Sequence, residues 1–132
     1  EAFDKMKKRQ ATIESGLAAM QTWLQEIDNG QAAQAWSDSA ASFQALASSD
    51  NWTAAVAAAR GKAGNITARV LTGIGYHEHW QASDGTIVPG PFVAARFAVT
   101  GDAGSFAETV VFQKTGKDTW QAYGYEAKPV AP

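Results

Sequence analysis

A chain of 132 residues and 14.0 kDa is long enough for one domain and short for two of ordinary size. Hydrophobic residues make up 45% and charged residues 18%, which excludes a disordered polyelectrolyte, and a net charge of −2 with a pI near 5.6 argues against non-specific nucleic-acid binding. There is no cysteine, so disulfides, thiolate zinc sites and cysteine nucleophiles are excluded together, and no apolar run approaches the ~20 residues of a membrane span.

The opening Glu1-Ala2-Phe3, with neither an initiator methionine nor an apolar targeting core, is what a processed precursor or a trimmed chain would show. Lys5, Lys7, Lys8 and Arg9 give the first ten residues a charge of +2, and the remainder carries −4. That cluster reads either as a contact with an anionic surface or as a solvated helix start or tether over residues 1–12. Ile13, Leu17, Met20, Leu24 and Ile27 then recur at helical spacing with Trp23 beside them, predicting a helix from about Ala2 to Asp28 that Asn29-Gly30 stops. A second helical stretch is expected from Gln31 to about Ala47, with Trp36, Phe43 and Leu46 inward and a break at Ser37-Asp38-Ser39. Ser49 or Asp50 is positioned to cap a third helix, Trp52–Ala63, which Gly64 closes.

Beyond Gly64 the period changes from 3.6 to 2. Strands are expected at Ile66–Tyr76, Phe92–Thr100, Phe106–Lys114 and Thr119–Lys128, with a loop over Ala82–Pro91 and turns at 101–104 and 115–118. Val93, Ala95, Phe97 and Val99 share one face, and Phe106, Val110 and Phe112 share another with Glu108. The tail 129–132 holds two prolines and extends a sheet poorly. Helices followed by a hairpin-linked antiparallel sheet of about four strands make one α+β domain over residues 13–128. The sequons at Asn51 and Asn65 matter only in a host that glycosylates them.

The chain resembles a bacterial family catalogued as domain of unknown function 4019. The residues that carry the likeness are Trp23-Leu24 with Asp28 and Gly30, Trp36, Phe43, Ser49 with Trp52, Arg60 with Gly64, and Arg69. They continue with Pro89-Gly90, Glu108-Thr109-Val110, and Trp120 with Gly124-Tyr125. The resemblance implies an exported protein, periplasmic or envelope-associated, with a cystatin-like or nuclear-transport-factor-like cone: N-terminal helices packed on a curved sheet. It implies no activity. Gly75–Ser83, with Tyr76-His77-Glu78-His79-Trp80, departs from the family.

His77 and His79 sit two apart on a strand and could face one metal, with Asp84 as a third ligand, but a bare His-x-His at a strand end reads first as a pair of solvated edge residues, so no metal is expected. Glu108, set among apolar residues, needs a cation such as Arg60, Arg69 or Arg96. Such a pair would hold a polar ligand or work as an acid and base, or else tie a helix to the sheet. Trp120, Tyr123 and Tyr125 would line an apolar pocket or pack the core. Arg60 and Gly64 also read as an ordinary helix end. No serine elbow, phosphate loop or dinucleotide fingerprint is present, and no cofactor is implied.

The expected function is non-catalytic binding of a small ligand or an envelope protein in the concave face, through Glu108, Arg69, Arg96, Tyr125 and Trp120. A small hydrolase or isomerase using Glu108 is the alternative, and a purely structural envelope protein fits the same residues. Monomer and homodimer stay open.

Overall fold

A computed structural model of the chain describes residues 2–130; Glu1 of the expected tether and Ala131 and Pro132 of the expected tail lie outside the described residues. The first helix, α1, spans Ala2–Asp28. The helix is continuous from Ala2, and Ala2 to Ala11 are exposed on every side. Met20, Trp23, Leu24 and Ile27 are buried, while Ile13 and Leu17 are only partly buried because they pack on the rim of the core. The helix stops as Asn29-Gly30 predicts. Gly30 takes φ 79°, the Gln31 N–H reaches back to the Glu26 carbonyl at 2.8 Å and the Gly30 N–H to Ile27 at 3.1 Å, satisfying the last carbonyls in a left-handed cap.

The second stretch divides into α2, Ala32–Ser37, and α3, Ala41–Gln44. Between them Ala40 is extended, and its N–H pairs with the Ala122 carbonyl at 3.0 Å while Ser39 Oγ donates to Ala35 at 2.7 Å. Helix α3 ends before Leu46, so the periodicity that aligned Leu46 with Phe43 lapses: Phe43 is buried and Leu46 is 78% exposed. Helix α4, Ser49–Arg60, starts earlier than expected because Ser48, and not Ser49 or Asp50, is the cap, its Oγ accepting from the Asn51 N–H at 3.2 Å.

Four strands form one antiparallel sheet in the order β1-β2-β3-β4, with β1 at Ile66–Gln81, β2 at Ile87–Gly101, β3 at Ser105–Lys114 and β4 at Trp120–Pro129. The loop expected over Ala82–Pro91 shrinks to five residues. Pro89 pairs with His79 across a register shift, Trp80 with Val88 and Gln81 with Ile87, so sheet pairing overrides the local turn chemistry of Pro89-Gly90-Pro91. Val93, Ala95, Phe97 and Val99 are all buried, as are Phe106, Glu108, Val110 and Phe112. These two rows meet α1 in the main core, with Phe43 and Val56 closing it from α3 and α4. Phe92 breaks the alternation. It is fully buried on the other face, between Trp80 at 5.5 Å and Tyr123 at 5.0 Å, as a small aromatic core outside the main one.

Candidate functional site

Period-2 alternation on β3 sends Glu108 into the core with Phe106 and Val110, and burial of a carboxylate there requires partners. It has three. Arg60 Nη2 at the end of α4 donates to Oε2 at 2.8 Å, Arg69 Nε on β1 donates to Oε1 at 2.9 Å, and the Tyr125 hydroxyl on β4 donates to Oε2 at 2.5 Å. Both arginines also hold Asp28, the last residue of α1: Arg60 Nη1 lies 2.9 Å from Oδ1, and Arg69 Nη1 and Nη2 bond Oδ2 and Oδ1 at 2.6 and 3.1 Å. Asp28, Arg60, Glu108 and Arg69 thus close a four-membered ion-pair ring of zero net charge. It joins two helix ends to two strands, with Tyr125 linking Arg60 Nε and Glu108 from a third strand.

The electrostatics follow from that closure. Burial alone would lift the Asp28 carboxyl, but hydrogen bonds and charge from Arg69, then Arg60, outweigh it and hold Asp28 below the ordinary carboxylate value. Burial works against the guanidinium charges too. Neighbouring Tyr125, Glu108 and Asp28 reverse this at Arg60, and Asp28 and Glu108 do so at Arg69, so both are pushed above the usual arginine value. Tyr125 is driven well above its ordinary value, first by burial and then by the Glu108 charge, and its hydroxyl stays protonated. Phe106 and Phe97 lie under the two guanidiniums at 5.2 and 6.0 Å.

Core side chains fill the inner face of the sheet. A cleft of about 390 Å³ lies beside the ring, between the end of α1, α4 and the start of β1. Asp28 and Arg60 form part of its wall, with Ile27, Thr53, Val56 and Asn65. Thr53 Oγ1 is buried there and has no hydrogen-bond partner. A guanidinium has five N–H donors, and the contacts of Arg60 use three of them.

The other expected site residues do not converge. Arg96 neighbours inward-facing Phe97 and is therefore on the opposite face of β2, exposed and away from Glu108. Trp120 packs on α1, its Nε1 donating to Ser15 Oγ at 3.1 Å, while Tyr123 lies on the outer face and Tyr125 in the ring, so the three aromatics share no pocket. His77 and His79 are exposed on β1, His77 edge-on to Trp80 at 5.1 Å. Asp84 is a turn residue whose Oδ1 accepts from the Thr86 N–H at 2.9 Å; hydrogen bonding from the Thr86 side chain, and then from its N–H, lowers the pKa of the carboxyl. No group of three or more potential metal ligands occurs among the described residues. Asp28 is the member of the site that sequence reasoning left unassigned. Its position at the end of an apolar stripe, just before the helix stop, was the available signal.

A family model described as "Protein of unknown function (DUF4019)" matches residues 19–125, and the chain belongs to that family. No curated protein and no solved structure matches.

Proposed function

We propose that this member of the DUF4019 family is an exported bacterial domain that binds a small polar ligand, without transforming it, in the cleft beside the ion-pair ring. The observation that carries the reading is Thr53 Oγ1, enclosed in the cleft wall without a partner, two turns along α4 from Arg60, which lines the same cleft. The inner face of a four-stranded antiparallel sheet covered by helices supports a cystatin-like or nuclear-transport-factor-like cone whose concavity has narrowed to this cleft. Glu108 favours binding over the hydrolase or isomerase alternative: three bonds occupy its oxygens and its side chain is fully buried, so it is not poised to take a proton from a substrate.

The test is a thermal-shift screen of small amides, polyols and carboxylic acids. A ligand of the cleft raises the melting midpoint in proportion to the logarithm of its concentration once saturating. Ala57→Leu, which fills the cleft from an exposed position, abolishes that rise, and Thr53→Val weakens it. A hit whose effect survives Ala57→Leu, or the absence of any hit, defeats the proposal.

A further inference from the structure

We propose that the first three turns of α1 dock the protein onto the surface of an anionic phospholipid bilayer. This is independent of the cleft and of whatever ligand it takes. Ala2 to Ala11 are helical yet exposed on every side, so no burial in this chain supports them. Two large apolar side chains stand in this segment without cover, Phe3 at 63% and Met6 at 67% exposed. They lie one turn apart on neighbouring faces of the helix.

Lys5, Lys7, Lys8 and Arg9 cluster in this exposed stretch of α1, and the last turn of the helix has no basic residue. Lys7 and Lys8 make no ion pair among the described residues, and the contact of Arg9 with Glu78 is long, 3.8 Å, and solvated. At 100° per residue Lys7 flanks Phe3 on one side and Arg9 flanks Met6 on the other, and Lys7 Nζ stands 4.5 Å from the Phe3 ring centroid. Apolar side chains between snorkelling cations suit the boundary between headgroups and acyl chains.

Arg9 also lies over Tyr76 at 4.9 Å, which sets this end of α1 beside the β1–β2 hairpin, where Ile87 is 57% exposed. The rest of the chain is acidic, so an anionic surface attracts this end and repels the body, giving one orientation. Each basic residue near such a surface contributes about fivefold in partitioning, with Glu1 and Asp4 offsetting two. Phe3 and Met6 favour a bilayer over nucleic acid, whose backbone offers them nothing to bury in.

The experiment is co-sedimentation of the full chain with large vesicles of phosphatidylcholine, alone or mixed with phosphatidylglycerol. The mixed vesicles retain the protein at low salt, molar salt releases it, and pure phosphatidylcholine does not bind it. Lys7→Glu with Lys8→Glu abolishes retention, and Phe3→Ser with Met6→Ser reduces it roughly tenfold or more. All four residues are exposed, so an unchanged melting midpoint shows that the variants are folded. No retention on mixed vesicles at low salt overturns the proposal. So does equal retention on phosphatidylcholine, full retention of the Phe3→Ser, Met6→Ser variant, or equally strong binding to duplex DNA.

Discussion

The Tyr125 hydroxyl donates to Glu108 Oε2 at 2.5 Å while accepting from Arg60 Nε at 3.0 Å, so one side chain on the last strand braces the carboxylate at the centre of the ion-pair ring. Tyr125→Phe removes that brace and leaves the Arg60 Nε without its acceptor. It should cost about 1–3 kcal/mol in urea denaturation. Glu108→Gln removes a charge from the ring and leaves the two arginines facing Asp28 alone, at an expected cost of about 3–5 kcal/mol. A smaller loss for Glu108→Gln than for Tyr125→Phe would mean that the ring does not act as a unit.

The ring should also shape stability against pH. Asp28 titrates lower when folded than when unfolded, so its contribution is complete above the ordinary carboxylate range and is lost as pH falls below about 4. Tyr125 is raised in the folded state, so its contribution is complete below about pH 10 and declines above it, where the unfolded chain ionises first. Glu26 is raised, by burial and then by Asp38, and therefore works against the acid limb. Denaturation midpoints across pH should fall at both ends, with Asp28→Asn flattening the acid limb and Tyr125→Phe the alkaline one.

Leu24 is fully buried on the core face of α1, and Leu24→Ala should cost about 2–5 kcal/mol from lost transfer and the cavity left behind. Gln21 and Gln25, exposed on the same helix, should each tolerate alanine within about 0.5 kcal/mol. Deleting residues 1–9 should barely move the melting midpoint, because Ala2 to Arg9 are all exposed and Arg9 makes only solvated contacts, with Tyr76 and Glu78. A deletion as damaging as Leu24→Ala would place the helix start in the core.

Gly16 tests how tightly α1 is seated. Alanine in mid-helix ordinarily gains about 1 kcal/mol over glycine. Here a Cβ would stand 2.9 Å from Val93 Cγ2 and 3.1 Å from the Trp120 ring, which its bond to Ser15 already restrains. Gly16→Ala should therefore destabilise, by about 1–3 kcal/mol. A rise in the melting midpoint would show that Trp120 yields.

Patterns with many repeats were legible in the sequence. The stripe from Ile13 to Ile27 and the alternation through Val93–Val99 located the core, and Glu108 among apolar neighbours announced its need for arginine. Arg60 and Arg69 answered it; Arg96, expected beside them, lies on the opposite face, as its place next to inward-facing Phe97 dictates. What stayed hidden depended on pairing between distant segments. Ala40 leaves the helix to meet Ala122, and Pro89 enters a strand because His79 lies opposite. Phe92, adjacent to Val93, is buried on the outer face only because Trp80 and Tyr123 arrive to cover it. Asp28 was visible as a helix end, but its role appears only when α4 and β1 bring both arginines to it.

The closed ring has a consequence for how sequences of this kind diverge. Exchanging any one of Asp28, Arg60, Arg69 or Glu108 for a neutral residue strands a partner charge in the interior, so each single step away from the quartet is uphill. Coordinated replacement, in which an acid and a base disappear together or all four give way to apolar side chains, avoids that barrier. The four positions, spread over eighty-one residues of chain, should therefore be inherited as one character, retained or lost as a set among relatives.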